Sequence, residues 1–164
     1  MKTVLFIRHA SSSPDAFGYG DFERPLNEKG RREVLEMAEY LLQREAVPGL
    51  YISSPAKRAC KTVELLLGHL GLPSHLMRKD MTLYLPGPDS ILKAVEAVSD
   101  QIDNIAVCSH NPALTQLANE MVGNVTIDNM PPCSIFGIRT PIEKWLDFQK
   151  GPREFWFFKT PGGF

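Results

Sequence analysis

The chain has 164 residues, of which 43% are hydrophobic and 23% charged, a size that suits one folded domain spanning 1–164. A domain of this length buries roughly 70% of its unfolded surface, so a core is expected without disulfide or metal staples. The net charge of −1 lacks the basic excess that nucleic acid or an anionic membrane surface requires, and neither is expected as a partner.

The first apolar run stops at Arg8, too soon for a signal peptide, and no stretch approaches the ~20 apolar residues of a membrane span. Cys60, Cys108 and Cys133 are odd in number and lack metal-type spacing, which points to a reducing cytoplasm and to buried, unpaired thiols. The four histidines have no zinc-binding spacing, so no metal or cofactor is expected.

Val4-Leu5-Phe6-Ile7 is an unbroken β-favouring run, as expected of a strand covered on both faces of a parallel sheet. It ends in Arg8 and His9. Ligands in open α/β sheets collect at the carboxyl ends of strands, which puts this pair where a substrate is held. Taken alone, the pair reads more readily as an ordinary strand end; partners elsewhere in the chain give it meaning. Residues 11–21 are polar, contain glycine and lack periodicity, so they read as a long loop over that strand end.

Asn27 is the expected N-cap of a first helix, with Val34, Met37, Ala38, Leu41 and Leu42 at helical spacing and a stop near Glu45, before Pro48-Gly49. A short strand at 50–52 leads into Ser53-Ser54-Pro55, where a serine N-cap and a first-position proline start a second helix. Arg58 then falls in its first turn, while Lys57 and Lys61 read as solvated surface cations. A short edge strand is expected at 75–77, a turn-rich segment at 82–89 and a third helix at 90–98.

Residues 105–108 form another buried strand, followed at once by Ser109 and His110. Asn111 and Pro112 repeat the cap signal ahead of Leu114, Leu117, Ala118 and Met121. Strands are expected at 134–139 and 155–158, with 144–153 as a polar connection and these closing strands antiparallel. The alternation of strand and helix predicts an α/β fold, a three-layer sandwich around a mainly parallel central sheet.

Three of these strand ends bring Arg8, His9, Arg58 and His110 toward one pocket. Two guanidiniums beside helix N-termini suit a dianionic phosphoryl group, because their paired N–H groups match its oxygens and charge. One imidazole in line with phosphorus can attack it and form a phosphohistidine intermediate. The second, if protonated, stabilises charge on the equatorial oxygens.

Arg8-His9-Ala10, Ser53-Ser54-Pro55 with Arg58-Ala59 and Thr62, and Ser109-His110 resemble the motifs of the histidine phosphatase superfamily, the phosphoglycerate-mutase-like proteins. The short length, the 21–30 segment and Ser109-His110-Asn111-Pro112-Ala113-Leu114 are most similar to phosphohistidine phosphatases of SixA type. The resemblance runs from Thr3 to about Leu117. It implies that His9 is the nucleophile, that Arg8 and Arg58 bind phosphate and that His110 is the second active-site histidine. It also implies phosphate contacts from Arg24, in the covering loop, and from the backbone N–H of Asn111. Ser11 joins them as a candidate substrate-binding residue.

The sequence departs from that pattern twice. Ala10 stands where the family usually has glycine, and no glutamate occupies the region after the second helix where many members carry a proton donor. Asp80, Asp89 and Asp21 are the candidate substitutes. Without a donor, ester cleavage loses the roughly 10²- to 10⁴-fold typical of general acid catalysis. The imidazole leaving from phosphohistidine is far less basic than an alkoxide and needs little help. The expected activity is therefore a phosphatase acting on a phosphohistidine-bearing protein. The alternatives are a phosphomonoesterase for a small phosphorylated substrate and a non-catalytic phospho-ligand binder.

Overall fold

Strand β1, Lys2–Arg8, lies inside a six-stranded sheet and is flanked on both sides by other strands. The computed structural model describes residues 1–14, 18 and 20–163; most of the expected loop at 11–21 is among them, but 15–17 and 19 are not. The other strands are β2 (Leu50–Ser53), β3 (Met77–Lys79), β4 (Asn104–Ser109), β5 (Ile135–Thr140) and β6 (Glu154–Lys159), in the order β3-β2-β4-β1-β5-β6. The first four are mutually parallel, while β5 and β6 run antiparallel, as expected for the closing strands.

Side chains alternate across the sheet with period two, and each face meets its own pair of helices. Leu5, Ile7, Tyr51 and Ala106 pack with Val34, Met37 and Leu41 of α1 (Glu28–Gln43) and Val63 and Leu66 of α2 (Lys57–Leu70). Val4, Phe6, Ile52 and Val107 pack on the opposite face with Ile91 and Val95 of α3 (Pro88–Glu96) and Leu114 and Leu117 of α4 (Ala113–Met121). The result is the expected three-layer α/β sandwich with a mainly parallel sheet. Among the described residues no helix is long and apolar enough to cross a membrane.

Several local expectations shift. The Asn27 side chain caps α1 as predicted, accepting from Gly30 N at 2.8 Å. The second helix begins later than Pro55: Ala56 is its N-cap, and the Ser54 hydroxyl accepts from Ala56 N at 3.2 Å in a tight bend ahead of it. The third begins at Pro88, because Gly87 is its N-cap and proline is favoured in a first turn. The edge strand starts at Met77, since 74–76 form a 3-10 turn. Pro112, not Asn111, is the N-cap of α4, and Asn111 Oδ1 instead accepts from Thr115 N at 3.2 Å.

The segment 144–153 is more than a polar connection. It carries a 3-10 turn, Trp145–Asp147, that buries Trp145 and Phe148 against the α3/α4 face of the sheet. Trp145 is anchored there by its indole N–H, which donates to Ile102 O at 2.8 Å. The polar sequence around the two aromatics hid them, since neither shows periodicity. Cys60, Cys108 and Cys133 are buried and unpaired.

Candidate active site

The register of the sheet aligns three strand ends. Arg8 pairs with Ser109 across β1 and β4, and Ser53 pairs with Cys108 across β2 and β4. His9 N continues the ladder to Ser109 O at 3.2 Å, and Ser54 N to Cys108 O at 2.9 Å. His9, Ser54 and His110 therefore leave the sheet at one level, and Arg58 reaches them from the first turn of α2. The four residues that sequence brought to one pocket do meet there.

The ring centroids of His9 and His110 are 5.1 Å apart, and both imidazoles are buried. Their tautomers follow from partners that can act in only one sense. His9 Nδ1 lies 2.9 Å from Ala10 O, which can only accept, so Nδ1 carries the proton. The Nε2 lone pair is then free, and Arg58 Nε donates to it at 3.3 Å. His110 Nδ1 faces Arg58 Nη2 at 3.4 Å and must accept, so its Nε2–H donates to Ser54 Oγ at 2.8 Å. Burial disfavours charge on both rings and the nearby arginines add to the effect, holding His9 down to about 3 and His110 to about 4. Near neutral pH both are uncharged.

Arg58 is buried and is held from its far side by Asp21. Its Nη1 donates to Asp21 O at 2.6 Å and its Nη2 to Asp21 Oδ2 at 3.0 Å. Tyr84 donates its hydroxyl to the same Oδ2 at 2.7 Å, and Arg24 Nε donates to Oδ1 at 3.1 Å. The Tyr84 hydrogen bond, followed by those from Arg58 and Arg24, pulls the Asp21 carboxyl down to about 2, so it is ionised. Asp80 binds Thr82 N and its hydroxyl, and Asp89 lies exposed in the first turn of α3. Among the described residues, neither makes a hydrogen bond or ion pair with His9 or His110.

Arg8 donates from Nη1 to Met130 O at 2.8 Å, and its Nε is buried without a partner among the described residues. A buried N–H of this kind is costly unless something accepts from it. A cleft of about 370 Å³ in front of it is lined by Arg8, His9, Ser11, Arg24 and Lys29. The Ser11 hydroxyl is turned to Glu33 Oε2 at 2.8 Å, while Ser11 N donates to Oε1 at 2.8 Å. Arg24 Nη1 braces the same loop through Ser12 Oγ at 2.9 Å and Ser13 O at 3.0 Å. The Asn111 amide donates to Asn129 Oδ1 and Met130 O at 3.1 and 2.9 Å, tying α4 to the segment that holds Arg8.

Sequence reasoning missed Ser54, Tyr84 and Glu33 as members of this site. Ser54 stood inside a quoted motif, but its bond to His110 crosses 56 positions and leaves no local trace. Tyr84 and Glu33 carry no motif at all. Thr62, also within a motif, links the loop after His9 to α2: it accepts from Ala10 N at 2.9 Å and donates to Arg58 O at 2.7 Å. His69 and His75 are exposed and away from the pocket, and no group among the described residues is arranged to hold a metal ion.

The family model described as histidine phosphatase superfamily (branch 1) matches residues 4–79, which include Arg8, His9 and Arg58. The uncharacterized protein ML1117 of Mycobacterium leprae is 32% identical over 125 residues, covering 73% of each chain. Among solved structures, the protein histidine phosphatase SixA complexed with tungstate superposes with a TM-score of 0.82 at 23% identity, over 98% of this chain and 97% of that one. Mycobacterial glucosyl-3-phosphoglycerate phosphatase Rv2419c superposes with a TM-score of 0.66 at 16% identity, over 94% and 97% of the two chains. The family model carries the assignment and the shared fold accords with it: the chain belongs to the histidine phosphatase superfamily.

Proposed function

We propose that this phosphatase transfers a phosphoryl group onto Nε2 of His9 and that its substrate is phosphohistidine carried by a protein. The observation that carries the reading is a neutral imidazole whose unprotonated Nε2 is set among guanidiniums, in a site where none of the three candidate acids, Asp21, Asp80 and Asp89, is a free acid beside His9. Asp21 is ionised and paired with Arg58, and Asp80 caps a turn.

In the first step Nε2 of His9 attacks phosphorus and a P–N bond forms. The substrate P–N bond breaks, and the substrate ring, protonated at its other nitrogen, takes the electron pair and departs as neutral imidazole. Arg8 and Arg58 neutralise the phosphoryl oxygens; the buried Arg8 Nε supplies a donor that the protein itself does not use. Arrival of the dianion beside His110 favours the protonated ring, which then donates to an equatorial oxygen. In the second step water attacks the phosphohistidine, the P–Nε2 bond breaks, and inorganic phosphate is released with His9 neutral again. Ser54 keeps His110 oriented through both steps.

A leaving imidazole suits a site without a free acid, whereas an alkoxide needs a proton. The fold likeness to the solved phosphohistidine phosphatase supports the same reading. The test compares phosphate release from a phosphohistidine-bearing protein and from a panel of phosphate esters, with the intact protein and His9→Ala in parallel. Fast P–N cleavage with slow ester cleavage, both lost in the variant, is expected. Preference for an ester makes the protein a small-molecule phosphomonoesterase. Absence of turnover on either makes it a phospho-ligand binder.

A further inference from the structure

Beside the phosphoryl cleft lies a larger one of about 600 Å³, within the roughly 300–1,000 Å³ range of ligand sites. The segment 22–26 divides the two. Arg24 lines the phosphoryl cleft, whereas Phe22, Pro25 and Leu26 line the larger one. Both open at the carboxyl end of the sheet: Lys79, on the wall of the larger cleft, is the last residue of β3 and pairs with Ser53 of β2.

The charge of this cleft is uneven. Arg31, Lys57, Lys61 and Lys79 line it against two carboxylates, Glu23 and Glu64. Lys61 pairs with Glu64 at 3.7 Å, whereas Arg31, Lys57 and Lys79 make no ion pair among the described residues. Arg31 stands in the first turn of α1 and Lys57 begins α2, so the positive ends of two long helices add to the same field. Cations crowded around one concavity repel each other, and an anionic partner relieves that repulsion.

The molecule as a whole carries a net charge of −1, so it does not attract long polyanions. A short acidic segment feels mainly the local field, because the Debye length is only about 8 Å at physiological ionic strength. The apolar floor of Phe22, Pro25 and Leu26 adds contacts for a polypeptide that a free metabolite would leave unused.

Resting on the phosphohistidine reading above, we infer that this cationic cleft is the docking site for an acidic segment of the substrate protein. Its neighbouring phosphohistidine enters the His9 cleft over the 22–26 divide. Lys57, which sequence assigned to the solvated surface, and Lys79 at the end of β3 thus set which phosphoproteins are accepted.

The test uses the full chain and three probes: phosphoramidate, a phosphohistidine peptide flanked by glutamates, and the same peptide flanked by glutamines. The acidic peptide is expected to show a KM about tenfold below that of the neutral one, with the advantage fading as salt rises. In the double variant Lys57→Glu/Lys79→Glu the two peptides become equivalent, while phosphoramidate turnover stays unchanged. The Lys→Gln pair gives an intermediate loss and controls for folding. Equal KM values in the intact protein, or a preference that survives the double variant, overturn the inference.

Absence of turnover on all three probes overturns the phosphohistidine reading instead. The cleft is then tested alone by fluorescence anisotropy with an unphosphorylated glutamate-rich peptide, whose binding should be lost in the double variant. Failure to bind that peptide, or tighter binding of a uridylate oligonucleotide, rejects an acidic polypeptide as the occupant.

Discussion

Arg58 donates from Nη2 to the Asp21 carboxylate at 3.0 Å, so the guanidinium beside His9 already holds an anion belonging to the protein. The Asp21 side chain is 48% exposed, which limits the pair to the weak range of about 0–1 kcal/mol. An incoming dianion can outcompete such a partner.

Asp21→Asn is therefore expected to bind tungstate or orthovanadate up to about fivefold more tightly, the equivalent of losing a competitor worth about 1 kcal/mol. Inhibition constants measured side by side check this. Weaker binding in the variant would mean that Asp21 pre-positions Arg58 and does not compete with the ligand.

Holding His9 near 3 and His110 near 4 makes the folded state acid-sensitive in a defined window. Unfolding restores each ring to its ordinary value of 6.5, so between pH 6.5 and about 3 the unfolded chain binds more protons than the folded one. Stability falls as pH drops through that window and is insensitive to these rings above it. Asp21, lowered to about 2, acts in the same sense below its ordinary value of 3.8. Thermal melts from pH 7 to pH 4 should show a falling Tm, with a shallower slope for His9→Asn. Identical slopes in the two proteins would contradict the assigned ring environment.

Thr62→Val preserves shape but removes the acceptor for Ala10 N in a site where Thr62 is 1% exposed. An unsatisfied buried N–H costs about 1–3 kcal/mol, which urea denaturation would read as a lower midpoint at unchanged slope. Because the same hydroxyl ties the loop after His9 to the backbone of Arg58, turnover should fall as well, whereas Thr62→Ser should retain both.

Gly30→Ala sets two effects against each other. Alanine is favoured over glycine in a helix by about 1 kcal/mol. A Cβ at this position, however, would press into the backbone carbonyl oxygen of Ser11, which cannot rotate away. Overpacking of this kind costs about 1–3 kcal/mol. Net destabilisation is expected, together with reduced activity from displacement of the loop that follows His9. A variant more stable than the parent would show that the 11–13 loop yields freely.

The sequence by itself determined the layers and the chemical inventory. Apolar runs such as Val4–Ile7 can only be buried strands, and helical spacing from Val34 to Leu41 can only cover a face, because periodicity is a local property of the chain. Arg8, His9, Arg58 and His110 were legible because each sits immediately after or one turn beyond such a run, and strand ends in a parallel sheet converge. What only the tertiary structure decided are bonds between positions far apart: Ser54 to His110, Tyr84 to Asp21, Asp21 to Arg58, Glu33 to Ser11, and the burial of Trp145. Those depend on the register of neighbouring strands and on loop paths that no local pattern encodes. Asp21 is the clearest case: in sequence it was one of three candidate substitutes for the family's proton donor, and only the fold shows its carboxylate paired with Arg58 and bonded to Tyr84.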